Sequence, residues 1–363
     1  MADKVGIGII GTGFARRVQM PAFRACEGAW IASVASGSFE NAQETADEFG
    51  IGHFTADWHE TVMHPEVDLV CITTPPILHR EMVVFAIEHG KHVLCEKPMA
   101  MTVAEAEEMA SAARGRPLIA LIDHEMRFQP GWRTARGLLR EDIIGKVRHA
   151  KWIFRAPHRG DPNLPWNWWS DSNQGGGALG AIASHIIDSF HWFLDADISS
   201  VYCQLHTNIK ERRNASGEIR PVTSDDESNM LLRFADGPLT KDASGLVSIS
   251  MVEGPKYKNS LYLYGTDGAM RIEATGQVFT AKRGEDDWTA VDVEMAPLIP
   301  GVMDTGFAAA FMAFAPKLVN AIRNGADRVE DAATFEDGLR VQRVLDAARD
   351  ADDSKCAVDI RVV

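Results

Sequence analysis

The chain lacks any apolar run near the roughly 20 residues that a membrane span needs. It also lacks an excess of positive charge: 37 Lys and Arg stand against 51 Asp and Glu, a net charge of −14. The first absence argues against a transmembrane helix. The second argues against general affinity for nucleic acid or anionic membranes, because both are polyanions; a local basic pocket for a phosphate stays compatible with it. Cysteine is sparse. Cys26, Cys71, Cys95, Cys203 and Cys356 are widely scattered, with no C-x-x-C pair and no metal-ligand spacing. No metal site is expected, and buried thiols in a reducing compartment are. The opening Met1-Ala2-Asp3-Lys4 shows no signal-peptide apolar region, so a cytoplasmic location is expected. Internal repeats are absent, and Asn214-Ala215-Ser216 is read as a chance glycosylation sequon.

What is present is an ordinary globular composition, 45% hydrophobic and 24% charged over 363 residues, a length that suits two domains. Over the first 120 or so residues, strand patterns alternate with helical ones. Strands are expected at residues 4–10, 30–35, 67–72, 92–95 and 118–122. Helices are expected at 14–26 with a break at Pro21, at 41–49 and 77–89 with closing glycines, and at 102–113, where Thr102 and Glu105 have capping-box spacing. Such alternation predicts a parallel, doubly wound sheet, because parallel neighbours need crossovers. Ligands on these sheets bind at the carboxyl ends of the strands. Past Asp123 the pattern changes. Helices are expected at 129–140, 179–193, 307–323 and 335–349. Strands at 147–154, 200–206, 228–234, 246–252, 260–264, 270–273 and 278–281, with turns at Asp236-Gly237 and Asp267-Gly268, suggest an antiparallel sheet. Residues 161–177 and 210–227 read as loops. The expected division is 1–123 and 124–363.

Gly11-Thr12-Gly13 follows the first strand and opens the first helix. Glycine there permits backbone conformations closed to other residues and close approach of a pyrophosphate. The helix amino end adds N–H groups and a positive dipole end. The six-residue glycine fingerprint is partial: Phe14 and Ala15 follow, and Arg16 stands where Gly or Ala is usual. At the end of the second strand, where a carboxylate holds the ribose of NAD, the chain has Ser36-Gly37-Ser38 and no acid until Glu40. Two hydroxyls tolerate a 2′-phosphate, which gives a slight lean to NADP over NAD; a plain polar turn is the other reading.

Further motifs occur in order: Thr73-Thr74-Pro75-Pro76 with His79, Glu96-Lys97-Pro98, Arg127-Phe128, and Gly175-Gly176-Gly177-Ala178-Leu179 followed by His185 and Asp188. Together with Gly11-Thr12-Gly13 they resemble the glucose–fructose oxidoreductase, inositol dehydrogenase and rhizopine-catabolism family, Gfo/Idh/MocA, over nearly the whole chain. The resemblance implies a Rossmann domain followed by a C-terminal α+β domain with a large, mainly antiparallel open sheet. It implies NAD(P)-dependent oxidation or reduction of sugars, polyols or related small molecules, and a homo-dimer or homo-tetramer built through that sheet. It implies cofactor contacts along Gly11, Thr12, Gly13, Phe14, Ala15, Ser36, Ser38, Thr73, Thr74, Pro75, His79, Glu96 and Lys97. Lys97 then lies beside the nicotinamide and the substrate oxygen, and His185 exchanges the hydroxyl proton. The chemistry suits both residues: an ammonium stabilises developing alkoxide charge, and an imidazole titrates near neutral pH.

The chain departs from the family at Ala181, where many members carry an Asp one helical turn before the His. The resemblance also leaves open an enzyme that recycles a tightly bound cofactor during elimination, isomerisation or glycosidic cleavage, and the gap at Ala181 leaves open a non-catalytic dinucleotide sensor. His124, Glu125 and Arg127 follow the last strand of the first domain and are read either as substrate contacts, with Arg suited to a carboxylate, or as a structural ion pair. Trp166, Trp168 and Trp169 offer faces for a sugar ring or pack as a cluster. His158 and Arg159 stand in the same region.

Overall fold

The structure, a computed structural model, describes residues 4–295 and 305–361. It divides into two compact units.

The first unit carries six strands: β1 (Val5–Ile10), β2 (Ala29–Ala35), β3 (His53–Thr55), β4 (Leu69–Ile72), β5 (His92–Cys95) and β6 (Ala120–Ile122). Every pairing is parallel and the order is β3-β2-β1-β4-β5-β6. This is the doubly wound dinucleotide-binding order. The crossovers carry α1 (Met20–Ala25), α2 (Phe39–Phe49), α3 (Trp58–Met63), α4 (His79–Glu88) and α5 (Val103–Ala113). All residues of β1 and β4 are buried, as expected of parallel strands covered on both faces. Register fixes what comes next. Ala35, Ile10, Ile72, Cys95 and Ile122 lie side by side across five strands. The residues that follow them, Ser36, Gly11, Thr73, Glu96 and Asp123, therefore leave the sheet along one edge.

The second unit holds α6 (Pro130–Arg140) and β7 (Val147–Arg155), then α7 (Ser184–Leu194) and β8 (Ile198–His206). A two-stranded ribbon follows, β9 (Glu211–Arg213) with β10 (Ile219–Pro221). Next come β11 (Glu227–Phe234), β12 (Thr240–Ser250), β13 (Lys258–Gly265), β14 (Gly268–Glu273), β15 (Val278–Lys282) and β16 (Thr289–Val291). Helices α8 (Phe307–Arg323) and α9 (Phe335–Ser354) precede a last strand, β17 (Val358–Asp359). The large sheet runs β16-β15-β14-β13-β7-β12-β11-β8-β17 and is antiparallel except between β7 and β12. Along β11 burial alternates strictly after Glu227, the mark of a sheet with one covered face. Trp132 of α6 packs at 5.6 Å on Trp152 of β7, and Trp152 meets Phe190 of α7 edge-on at 5.5 Å.

Besides the short elements β3, α3, β16 and β17, which no sequence pattern marked, three features differ from the sequence expectations. The helix expected at 14–26 opens with a π turn, Ala15–Gln19, and the one at 179–193 opens with another, Leu179–Ala183. The expected loop at 210–227 contains the β9–β10 ribbon; its strands are three residues each and polar, too short to show alternation. Helix α8 and the chain as far as Leu339 belong to the first unit, together with residues through Gln129, whereas Arg340 onward returns to the second. The apolar stripe of α8 said only that it would be buried. It packs on the first unit's core, with Phe311 edge-on to Phe23 at 5.4 Å and Phe314 stacked on Phe128 at 4.7 Å. Among the described residues, no helix is long and apolar enough to cross a membrane.

Phe311 is fully buried. Phe311→Ala should cost about 3–5 kcal/mol in chemical denaturation; a loss under about 1 kcal/mol would mean that α8 is not part of that core.

Candidate active site

The register just described brings five sequence segments to the carboxyl edge of the six-stranded sheet. Gly11 has φ +92°, and a Cβ placed on it would come within 2.7 Å of the Thr73 carbonyl. Only glycine fits this contact without strain. Thr73 Oγ1 donates to Gly11 O at 2.7 Å, which ties the turn after β4 to the turn after β1. Gly13 is exposed, and nothing lies within 4 Å of the position its Cβ would take. The turn is thus rigid at one end and open at the other, a cradle that suits a pyrophosphate. Phe14 is half-buried and Ala15 fully buried beneath it.

At the end of β2, sequence reasoning found Ser36 and Ser38 but missed Asn41. One amide nitrogen of Asn41 donates to both Thr12 Oγ1 and Ser36 Oγ at 2.7 Å, and Ser38 Oγ caps α2 by accepting from Asn41 N. This amide joins the glycine turn to the end of β2. Arg16 is ion-paired with Glu48. No pattern in the sequence distinguishes Asn41 from any other polar residue in a first helical turn.

Thr74 and Pro75 are half-exposed at the same edge. His79 is fully buried, with Nε2 2.9 Å from Thr74 O and Nδ1 3.1 Å from Pro98 O. Burial holds its pKa below the ordinary value, against the pull of those carbonyls. His79 therefore links the turn after β4 to the turn carrying Lys97. The Lys97–Pro98 peptide is cis, and Lys97 is half-exposed while its neighbours Glu96 and Pro98 are buried.

Behind Lys97 lies a buried polar cluster. Gln19, at the end of the first π turn, donates from Nε2 to Glu96 Oε1 at 3.2 Å and to Asp123 Oδ2 at 2.8 Å. π turns of this kind recur at functional sites. Burial raises the pKa of Glu96, opposed by the nearby Lys97. Burial, then Glu125 and Glu96, raise Asp123 well above the ordinary range. Of the residues after β6, His124, Glu125 and Arg127 are all buried, and Arg127 pairs with Asp337 at 3.3 Å.

In the second unit, Gly177 has φ +118°, and an added Cβ would lie 2.2 Å from Asp225 Oδ1. Asp225 accepts from Leu179 N at 2.7 Å and so anchors the π turn leading to α7; burial pushes its pKa up to about 6. The helix it anchors carries His185 and Asp188, both buried, with His185 O accepting from Ser189 Oγ at 2.6 Å. Ala181 falls inside the π turn, so the four-residue spacing to His185 is not one ordinary helical turn. The tryptophan loop is held from behind. Trp166 Nε1 donates to Pro221 O at 3.0 Å, and Arg159 stacks on Trp169 at 3.7 Å, leaving Trp168 the least engaged of the three. Arg159 is lowered to about 10, first by burial and then by Arg212, while His158 is lowered by burial. Arg212, which the sequence did not single out, donates to Asp161 O at 2.6 Å and to Arg159 O.

A parallel sheet in this strand order, with a glycine cradle at its carboxyl edge and a lysine beside it, defines a dinucleotide-dependent oxidoreductase. Comparison with known proteins agrees. The model of the oxidoreductase family with NAD-binding Rossmann fold matches residues 5–124, and that of the GFO/IDH/MocA C-terminal domain matches residues 132–271. The chain belongs to the Gfo/Idh/MocA family. It is 34% identical to an uncharacterized oxidoreductase of Synechocystis sp., covering 73% of this chain and 70% of that protein. It is 30% identical to levoglucosan dehydrogenase of Pseudarthrobacter phenanthrenivorans, covering 74% and 73%. The structure of levoglucosan dehydrogenase in complex with NADH and L-sorbose superposes with a TM-score of 0.87 at 26% identity, covering 99% of this chain and all of that one.

Gly11→Ala should weaken NADH binding by about tenfold or more, the cost of forcing a side chain into a positive-φ contact with backbone. Fluorescence titration reads this directly, and unchanged affinity would remove the cradle from the nucleotide site.

Proposed function

We propose that the protein is a dehydrogenase interconverting a secondary alcohol and a ketone on a sugar, polyol or related small molecule. The observation that carries this reading is the alignment of the Gly11 cradle and the Glu96–Lys97 turn along one sheet edge. When bound, the nicotinamide supplies the hydride acceptor or donor. Lys97 donates a hydrogen bond to the substrate oxygen and stabilises it as charge develops. His185 takes or returns the hydroxyl proton, a role open to an imidazole near neutral pH. Trp168 offers a face to the substrate ring. The relatives support the substrate class, since two solved complexes of levoglucosan dehydrogenase hold NADH with L-sorbose or levoglucosan. Five free thiols support a reducing, cytoplasmic setting.

The cofactor read here is NAD(H), in place of the sequence-based lean to NADP. Thr12 and Ser36 bring hydroxyls but no charge to this turn, and Arg16 is engaged by Glu48. A 2′-phosphate needs a cation to hold it well. NADH should bind at least about tenfold more tightly than NADPH. A panel of polyols, aldoses and ketoses that includes levoglucosan and L-sorbose should then yield net NADH formation or consumption. Lys97→Ala should lower kcat by about 100-fold or more, with the NADH dissociation constant changed by less than about tenfold. Turnover without net change in NADH points instead to a recycled cofactor, and undiminished kcat in Lys97→Ala sinks the assignment of Lys97.

A second copy of the chain is the partner read for the uncovered sheet face. Leu231 and Tyr202 are exposed there, 56% and 37%, and pair directly across β11 and β8. Leu231 also pairs with Leu246 of β12. Leu231→Arg should shift the protein toward monomer in light scattering coupled to size exclusion; an unaltered mass excludes this face.

A further inference from the structure

The buried cluster behind Lys97 has a feature that the reaction as proposed does not use. Glu96, at the end of β5, and Asp123, at the end of β6, are 8% and 0% exposed. Both reach the same buried amide, that of Gln19, which draws their carboxyl groups together. Gln19 Nε2 donates to one oxygen of each. Glu96 Oε2 accepts from the backbone N–H of Lys97 at 3.3 Å. Among the described residues no donor reaches Asp123 Oδ1. Two carboxylates in contact in a dry site cannot both be ionised, and a hydrogen bond between them needs a proton on one. The oxygen without a donor is the one that can carry it. We propose that Asp123 is a positioning residue for Lys97: as a carboxylic acid it donates to Glu96, and the resulting acid–carboxylate pair, bridged by Gln19, holds the Glu96–Lys97 turn in place.

The surroundings fit a single shared proton. Lys97 follows Glu96 directly, the buried Cys71 and Cys95 thiols belong to the neighbouring strands β4 and β5, and Glu125 lies in the turn after β6. Lys97 is the cation beside Glu96, while Glu125 adds a further carboxyl next to Asp123, so a proton held on Asp123 limits the negative charge gathered there. Burial and the two neighbouring carboxyls hold the Asp123 proton on to a pH well above the ordinary carboxylate range. In the unfolded chain Asp123 loses that proton near its ordinary value. The folded protein is thus favoured below that value, and the advantage is lost as pH rises through the folded pKa. The same rise breaks the bond to Glu96 and frees the turn.

The inference rests on the role given to Lys97 above. Its test is the pH dependence of kcat and KM, between about pH 6 and 10, for the wild type, Asp123→Ala and Asp123→Asn, on the sugar of the panel turned over fastest. Asp123→Ala should lower kcat about tenfold or more with KM within about threefold, since the turn is loosened and not the binding surface. Asn carries a permanent donor where the acid needs a proton. Asp123→Asn should therefore restore kcat to within about threefold of wild type, and should not share any fall in kcat that loss of the Asp123 proton gives the wild type as pH rises. Failure of Asn to rescue, or an alkaline limb unchanged in Asp123→Asn, overturns the proposal. Should Asp123→Ala not fold, the limb in Asp123→Asn decides alone. If Lys97→Ala keeps its kcat, the reading beneath fails; if Lys97→Ala is inactive while Asp123→Ala is not, only this inference does.

Discussion

Everything at the site depends on strand register in a parallel sheet. Parallel neighbours in phase deliver their carboxyl ends to the same line, and here that line runs through Ala35, Ile10, Ile72, Cys95 and Ile122. A glycine turn, two hydroxyl-bearing turns and a buried acid emerge one residue past it, and Lys97 two residues past it. No long-range device is needed to gather them. The same phase that buries Val, Ile and Leu on both faces of the sheet assembles the polar groups at its rim.

The rim is then braced crosswise. Thr73 ties to the glycine turn, Asn41 ties that turn to the end of β2, and His79 ties the Thr74 turn to Pro98. Each brace is a side chain bonded to backbone or to another loop's hydroxyl. Buried polar groups with their bonds made cost little, whereas the same groups left open cost about 1–3 kcal/mol each. The braces therefore hold their geometry cooperatively, because losing one partner exposes the other to that penalty. In the second unit Asp225 does equivalent work for the helix of His185, and Arg212 for the tryptophan loop.

Much of this was legible in the sequence because it is local and periodic. The alternation of strands and helices up to residue 122, the glycine turn, and the antiparallel run after Asp197 all follow from pattern. What was not legible is of three kinds. Segments of two or three residues, such as His53–Thr55 and β9, carry no period to detect. The π turns at Ala15–Gln19 and Leu179–Ala183 insert a residue without altering the apolar stripe by enough to notice. Partners distant in sequence leave no local trace: Gln19 meets Asp123 across 104 residues, and Leu179 meets Asp225 across 46. The destination of α8 belongs to this last kind, for an amphipathic helix records that it has a buried face and not which core receives it. Among the candidate residues, the family motifs singled out Lys97 and His185, whereas the groups bonded to Glu96 and to the π turn, Gln19 and Asp225, lie outside every motif.

Strand β8 ends the hydrogen-bonded order of the large sheet but for a short neighbour. Val358 and Asp359 pair with Val201 and Ser200, and further along Leu205 gives its N–H to the side chain of Asp352. A long outer strand with bare N–H and C=O groups invites other chains to add to it. Here a two-residue strip and a helix-borne carboxylate blunt that margin while Leu231 and Tyr202 stay uncovered on the broad side. Open-ended strand addition, which can propagate into fibres, is thereby discouraged along this margin.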